Sequence, residues 1–306
     1  MFSNKLDIKN RKIPLEEFFD SNCSLFVKRE DNLHPDISGN KYRKLKYNLL
    51  EAKKLEENTL LTFGGAFSNH ISAVAAAGKE FNFKTIGVIR GEELIHKIES
   101  NATLSFAEKC GMKFHFISRE EYRQKEEIEF IENLKNIFGN FYLIPEGGTN
   151  NLAIKGCEEI LTAIDNEFDY ICSPVGTGGT LAGLIKSSLP HQTVIGFSAL
   201  KGTFQSSEIE KYTPKTNYKI IDDYCFGGYA KIDEQLIRFI NNFKEKTNIP
   251  LDPVYTGKML FGILDLIDKG MIKQNSRILA IHTGGLQGII GMNQLLKKKN
   301  LPQIIY

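Results

Sequence analysis

At 306 residues the chain is long enough for two modest lobes or one large α/β domain. A composition of 42% hydrophobic and 25% charged residues is that of a globular protein in water, and a formal net charge of only +2 argues against the broad basic footprint of nucleic-acid binding. No run is apolar for long enough to span a bilayer, and the opening Met-Phe-Ser-Asn-Lys-Leu-Asp lacks the apolar core of a signal peptide, so a cytoplasmic enzyme away from membranes is expected.

Taken in chain order, short apolar and β-branched runs alternate with longer helical patterns. The runs predict strands at 25–27, 60–63, 85–89, 113–117, 142–144, 170–173, 194–197 and 277–281. Between them the spacing predicts helices at 41–55, 70–81, 101–109, 120–137, 152–164, 181–188, 233–246 and 259–269. This alternation predicts parallel sheets with helices on both faces. The lysines at 297–299 read as a solvated helix end rather than a nucleic-acid patch. Cys23, Cys110, Cys157, Cys172 and Cys225 are scattered, with no C-x-x-C pair and no histidine at ligand spacing. Neither a disulfide framework nor a metal site is expected, and a reducing compartment fits.

Four strand ends carry turns rich in glycine and small polar residues: 62–70, 145–150, 174–180 and 281–285. Ligands of open α/β sheets bind outside the carboxyl ends of the strands. Gly176-Thr177-Gly178-Gly179-Thr180 follows a strand and opens a helix, so its backbone N–H groups and hydroxyls can form a phosphate cup; it can equally be a plain tight turn. It lacks the lysine of a Walker loop. In Ser38-Gly39-Asn40-Lys41, Lys41 stands at a helix start near Arg43, Lys44 and Lys46. That setting disfavours its charged form and makes a usable amine, whereas the structural reading is a solvated basic face. Ser68 or Asn69 can cap the helix that begins near His70, or their donors can receive a carboxylate. Thr149 and Asn150 read as another cap. Tyr255, in Asp252-Pro253-Val254-Tyr255-Thr256-Gly257-Lys258, and His282, before Thr283-Gly284-Gly285, are either site residues or structural ones.

Together, in this order and spacing, these motifs resemble the pyridoxal-phosphate enzymes that include D-cysteine desulfhydrase and 1-aminocyclopropane-1-carboxylate deaminase. The resemblance runs from about Val27 to Gly288. It implies the tryptophan-synthase-β-like architecture, fold type II: a large cofactor domain from residues 1–45 and 151–306, with a small domain, 46–150, inserted between. It implies pyridoxal 5′-phosphate as cofactor, a small amino acid as substrate and a homodimer. It makes Lys41 the Schiff-base lysine and places Asn69 beside the cofactor's 3-hydroxyl. It puts the phosphate in the Gly176–Thr180 loop and Thr283 at the pyridine nitrogen. Ser68 would receive the substrate carboxylate with Tyr255 close by, and His70 and His282 complete the expected substrate contacts.

The sequence departs from the family at three places. His282-Thr283 stands where the deaminases carry Tyr-Glu, Phe67 where a Gln is common, and Ile71-Ser72 where Val-Arg is common. A threonine hydroxyl is a weaker partner than a carboxylate for the pyridine nitrogen, which argues against opening a cyclopropane ring. The expected reaction is α,β-elimination from D-cysteine to pyruvate, hydrogen sulfide and ammonia, with Lys41 and Tyr255 the candidates for proton transfer. Ring-opening deamination, serine dehydration and cofactor binding with little catalysis are the alternatives.

Overall fold

A computed structural model describes residues 8–306; the opening residues 1–7, part of the reading of a leaderless start, lie outside the described residues. Strand β1 (Asn10–Ile13) pairs antiparallel with β2 (Ser24–Lys28), and helix α1 (Asn40–Lys54) then carries the chain to a second sheet. That sheet is built from β3 (Thr59–Gly64), α2 (Asn69–Phe81), β4 (Lys84–Arg90), α3 (Ala102–Lys109), β5 (Lys113–Ile117), α4 (Ile128–Phe138) and β6 (Tyr142–Ile144). Helix α5 (Asn151–Glu158) returns the chain to the first sheet. There follow β7 (Tyr170–Val175), α6 (Gly179–Ser187), β8 (Thr193–Ser198), α7 (Gln205–Glu210), β9 (Tyr218–Ile221), α8 (Glu234–Thr247), α9 (Thr256–Asp268), β10 (Arg277–Ile281) and α10 (Gly288–Lys298).

The strand orders are β1-β2-β10-β7-β8-β9 and β5-β4-β3-β6, and every pairing except β1 with β2 is parallel. Strand geometry sends alternate residues to opposite faces. Ile278 and Ala280 of β10 pack with Leu236, Ile240 and Ile263 from α8 and α9. Their neighbours Leu279 and Ile281 pack on the other face with Ile154, Leu181 and Ile185 from α5 and α6. The second sheet is covered on both faces in the same way, with Leu60 among α1 and α2 residues and Leu61 against Leu134. Two covered faces require strands apolar on both sides, which is why these runs are nearly continuous.

The expected helix 120–137 is two pieces. A 3-10 turn, Glu121–Gln124, closes where Ser118 and Glu121 bond reciprocally, and α4 starts only after Glu127, whose backbone is extended (ψ 138°). The break lets Tyr122 pack edge-on against Phe63 while its hydroxyl donates to Glu146. The expected helix 152–164 ends at Glu158, because Asp165 accepts the Thr162 N–H at 2.8 Å and starts a separate turn. Asp165 is then committed to the buried Lys28. Strands β1 and β9 and helix α7 carry no strong periodic signal, since each is short and has at most two buried residues. Lys297 and Lys298 do stand in a helix's last turn, that of α10.

The two sheets are tied where α1 crosses α5. A Cβ added to Gly156 would meet the Arg43 carbonyl oxygen at 1.9 Å, so only hydrogen fits. Gly156→Ala should therefore force the helices apart and cost about 2 kcal/mol or more, read by chemical denaturation; an unchanged midpoint would show that the crossing can relax.

Candidate functional site

The loops that follow β3, β6, β7 and β10 converge with the start of α1 around a cavity of about 550 Å³. The site thus lies at the carboxyl ends of strands from both sheets.

Lys41 is placed by a backbone contact. Gly39 has φ 60° and ψ −136°, and a Cβ there would stand 2.0 Å from the Thr283 carbonyl oxygen. The next amide, Asn40 N–H, donates to that same oxygen at 3.2 Å. Helix α1 therefore starts hard against the loop after β10, with Lys41 in its first turn on the cavity wall. Its amine has no hydrogen-bond or ion-pair partner among the described residues. Burial, and then the Lys44 charge, lower its pKa to about 7. The rest of the basic cluster contributes differently from the sequence expectation. Arg43 donates to both oxygens of buried Glu30 (2.8 and 2.9 Å), and Lys46 to Glu159 (2.7 Å), so those charges are matched. Desolvation, not crowding by cations, is the main cause at Lys41.

The Gly176–Thr180 loop leaves β7 and turns into α6 through Gly178, whose φ of 87° suits glycine. Gly176, Thr177, Gly178 and Thr180 line the cavity, while Gly179 stands behind it, where a Cβ would meet the Thr149 hydroxyl at 2.8 Å. The cup is braced from outside. Lys44 Nζ donates to Gly147 O (2.9 Å) and Thr149 Oγ1 (3.1 Å), and Thr149 bonds Thr177 across the cup at 2.6 Å. Thr149 therefore braces the cup from outside rather than capping a helix; Asn150 alone caps α5, accepting from Ala153 N–H. Asn40 Nδ2 donates to Thr180 Oγ1 at 2.8 Å, linking the cup to the turn that carries Lys41.

Ser68 is the cap of α2 and also lines the cavity. Its Oγ accepts from the N–H groups of His70 (3.2 Å) and Ile71 (3.3 Å), capping α2, and the residue faces the cavity. Asn69 accepts from Gln287 Nε2 at 3.1 Å, which leaves its amide NH2 for another partner. His70 is buried, and its Nε2 lies 2.8 Å from the Thr62 hydroxyl, which itself donates to Ile144 O. Nε2 must then carry the proton, and Nδ1 is a buried acceptor with no hydrogen-bond partner among the described residues. Burial, Lys41 and Lys44 hold His70 well below the usual histidine range, so it is neutral.

Tyr255 stands at the N-terminal end of α9 and lines the cavity. The Asp252 carboxylate holds it there by accepting the N–H groups of Val254, Tyr255 and Thr256 at 2.8–2.9 Å. Burial first, and then Tyr229, push the Tyr255 phenol well above the usual tyrosine range. Thr283 lines the cavity, but His282 does not. His282 is fully buried behind the wall, donating from Nε2 to Pro250 O (2.7 Å) and accepting Gly284 N–H at Nδ1 (3.2 Å). It shapes the β10 loop instead of meeting a substrate directly. Sequence reasoning left Asn40, Lys44, Tyr229 and Glu146 out of the site. Asn40 and Lys44 flank Lys41 in the motif already singled out, and Glu146 opens the 145–150 turn already read as ligand-facing; Tyr229 follows a glycine pair that was left unread.

Because Lys44 depresses Lys41, Lys44→Met should raise the Lys41 pKa from about 7. The pH dependence of acylation of Lys41 in ligand-free protein, followed by peptide mass analysis, measures this. An unmoved midpoint would leave burial as the sole cause.

Comparison with known proteins agrees with this geometry. The sequence pattern of the pyridoxal-phosphate dependent enzyme family matches residues 8–284. A Pyrococcus abyssi protein named putative 1-aminocyclopropane-1-carboxylate deaminase is 32% identical over 87% of this chain and 85% of its own. The Arabidopsis thaliana mitochondrial bifunctional D-cysteine desulfhydrase/1-aminocyclopropane-1-carboxylate deaminase is 29% identical over 87% of this chain and 73% of its own. A crystal structure described as an ACC deaminase homologue superposes with a TM-score of 0.82 at 27% identity, covering 96% of this chain and 94% of the other. With the family pattern spanning nearly its whole length and the fold type II architecture in place, the chain belongs to the pyridoxal-phosphate dependent enzymes.

Proposed function

We propose that the enzyme catalyses α,β-elimination from a small amino acid, with D-cysteine as its first substrate and pyruvate, hydrogen sulfide and ammonia as products. The residues present suit the cofactor. Lys41 offers an amine half-deprotonated near pH 7, the Gly176–Thr180 cup offers N–H groups and hydroxyls with the buried Lys44 cation behind it, and Asn69 has a free amide donor. Pyridoxal phosphate, when bound, supplies a sink for negative charge developing at the substrate Cα. Ser68 and the N–H groups at the start of α2 orient the substrate carboxylate. His70, neutral and fixed by Thr62, forms the wall beside Lys41 without adding a competing charge. The Lys41 amine, with its lowered pKa and no ion-pair partner among the described residues, would be the base that takes the Cα proton. Tyr255, on the cavity wall and kept protonated by its raised pKa, would donate a proton to the departing sulfur. The same reading makes the protein a cytoplasmic homodimer, in keeping with five unpaired cysteines.

The observation that carries the choice of substrate is Thr283 on the cavity wall, where the family resemblance implies a glutamate in the ring-opening deaminases. Its hydroxyl cannot supply a carboxylate's charge to the pyridine nitrogen. Ring opening has no ready leaving group and leans heavily on the electron sink, whereas a departing thiolate drains the charge itself. The rival reading, 1-aminocyclopropane-1-carboxylate deamination, is favoured by the names of the relatives.

Two measurements test the proposal. Purified protein should show a visible absorption band that Lys41→Ala removes; a colourless protein that ignores added cofactor would contradict the assignment of Lys41. In a panel of D-cysteine, L-cysteine, D-serine and the cyclopropane amino acid, D-cysteine should exceed the cyclopropane substrate at least about a hundredfold in kcat/KM, roughly 2.7 kcal/mol of barrier. Efficient release of 2-oxobutanoate would reverse the choice, preference for D-serine would indicate a dehydratase, and cofactor uptake with no keto acid from any compound would leave a binding protein.

A further inference from the structure

A second cavity, of about 590 Å³, opens beside the one described above. Gly65, Ala66, Phe67, Arg90 and Glu146 line both, so the two are contiguous. The second is built wholly from the smaller sheet's side of the molecule, by the chain segments at the carboxyl ends of β3, β4, β5 and β6. Its outer part has no role in the elimination described so far.

The charges in this annex are uneven. Four cations, Arg90, Arg119, Arg123 and Lys125, line it together with two carboxylates, Glu93 and Glu146. Both carboxylates are already taken. Arg119 pairs with Glu93 at 3.0 Å and Lys125 with Glu146 at 3.5 Å, where the Tyr122 hydroxyl also donates at 2.8 Å. Arg90 and Arg123 have no carboxylate partner among the described residues, which leaves the annex an excess of two positive charges. Arg119, Arg123 and Lys125 come from the segment before α4 where the expected helix breaks, so the break also lines the annex with cations.

Arg90 is the cation at the junction of the two cavities. As the last residue of β4 it stands at the carboxyl end of the strand beside β3. Its guanidinium carbon lies over the Tyr122 ring, 5.5 Å from the centroid, and a Cβ at Gly65 would stand 3.8 Å from Arg90 Nη2. Gly65 opens the turn that ends in Ser68, whose N–H donates to Gly65 O at 3.0 Å. The guanidinium is thus stationed on an aromatic ring, beside the turn that carries Ser68, with no carboxylate to match it. A planar fork of N–H donors in that position suits an incoming carboxylate.

We propose that the annex receives a negatively charged group at the far end of the substrate's Cβ substituent, and that Arg90 is the residue that selects for it. The proposal rests on the α,β-elimination reading. It extends the substrate class from D-cysteine, which ends at its thiol, to S-substituted cysteines that end in a carboxylate. Such a compound sets one carboxylate at Ser68 and the other at Arg90, on two sides of the same turn. In the reaction the Cβ–S bond breaks with its electron pair going to sulfur, and the thiolate leaves and takes up a proton. Water then completes the conversion of the remaining three carbons and nitrogen to pyruvate and ammonia.

Two compounds of equal size separate charge from shape: S-carboxymethylcysteine and S-carbamoylmethylcysteine, each offered as both enantiomers to the holoenzyme. Pyruvate release reads both. The acid should exceed the amide at least about tenfold in kcat/KM, mainly through KM, and the preference should shrink as ionic strength rises. Arg90→Gln should bring the ratio to within about threefold of one. Because the ratio is taken within one variant, a general loss of folding or of cofactor cancels from it. A ratio near one in the unaltered enzyme overturns the proposal. So does a ratio that survives Arg90→Gln while both compounds weaken alike, which would put Arg90 at the α-carboxylate instead. Faster D-cysteine turnover on adding acetate, with no preference for the tethered carboxylate, would overturn it in favour of a separate anion. If neither D-cysteine nor either longer compound is turned over, the elimination reading fails. Calorimetric binding of the acid and the amide to the unaltered protein and to Arg90→Gln then decides the annex by the same ratio.

Discussion

The site depends first on the contact between the Cα of Gly39 and the Thr283 carbonyl. With any side chain at residue 39 that contact is closed, since a Cβ would stand 2.0 Å from the oxygen. The contact brings the start of α1 onto the loop after β10, and the Asn40 amide bonds the same carbonyl. Lys41 and Thr283 lie on either side of it, so one backbone approach sets the reactive amine against the cavity wall. Asn40 extends the same junction to Thr180, joining the amine to the cup.

Electrostatics around α1 is arranged so that one lysine stays unmatched. Glu30 and Glu159 take Arg43 and Lys46. Lys44 is satisfied by a carbonyl and a hydroxyl, neither of which cancels its charge, and so it remains a cation behind the cup and a repulsive neighbour for Lys41. The same buried ammonium thereby serves two ends: attraction for an anion in the cup and a lowered pKa for the amine. His70 completes the arrangement by remaining neutral, because a protonated ring in that position would face both lysines.

Helix α9 plays the corresponding part on the opposite wall. Asp252 gathers three backbone N–H groups at its start, which orients Tyr255, and the interior of the helix anchors the turn bearing Tyr229. The cavity is thus framed by two helices whose first turns are held by backbone contacts, one carrying the amine and one carrying a phenol. Rigid supports of this kind suit proton transfer, which tolerates little misplacement.

Much of this was legible in the sequence. The parallel-sheet architecture followed from strand–helix alternation, and the four glycine-rich strand ends do converge on one cavity. Lys41, Ser68, Asn69, Tyr255 and the Gly176–Thr180 loop could be singled out because each needs a local device, a cap, a glycine turn or a helix start, that leaves a trace in neighbouring residues. Other features had no such trace. His282 turned out to be buried behind the wall, held by Pro250 more than thirty positions away in sequence, because the partner of a polar side chain is a fact of packing. Thr149 looked like a cap and is instead bonded to Thr177 across the cup. The depressed pKa of Lys41 was expected from the cations beside it, but two of the three are cancelled by carboxylates from distant segments, and desolvation does most of the work. Sequence by itself determined which residue types stand at helix starts and strand ends; tertiary structure decided which charges are matched, which side chains face inward and how deeply each is buried, since these depend on contacts between segments far apart along the chain.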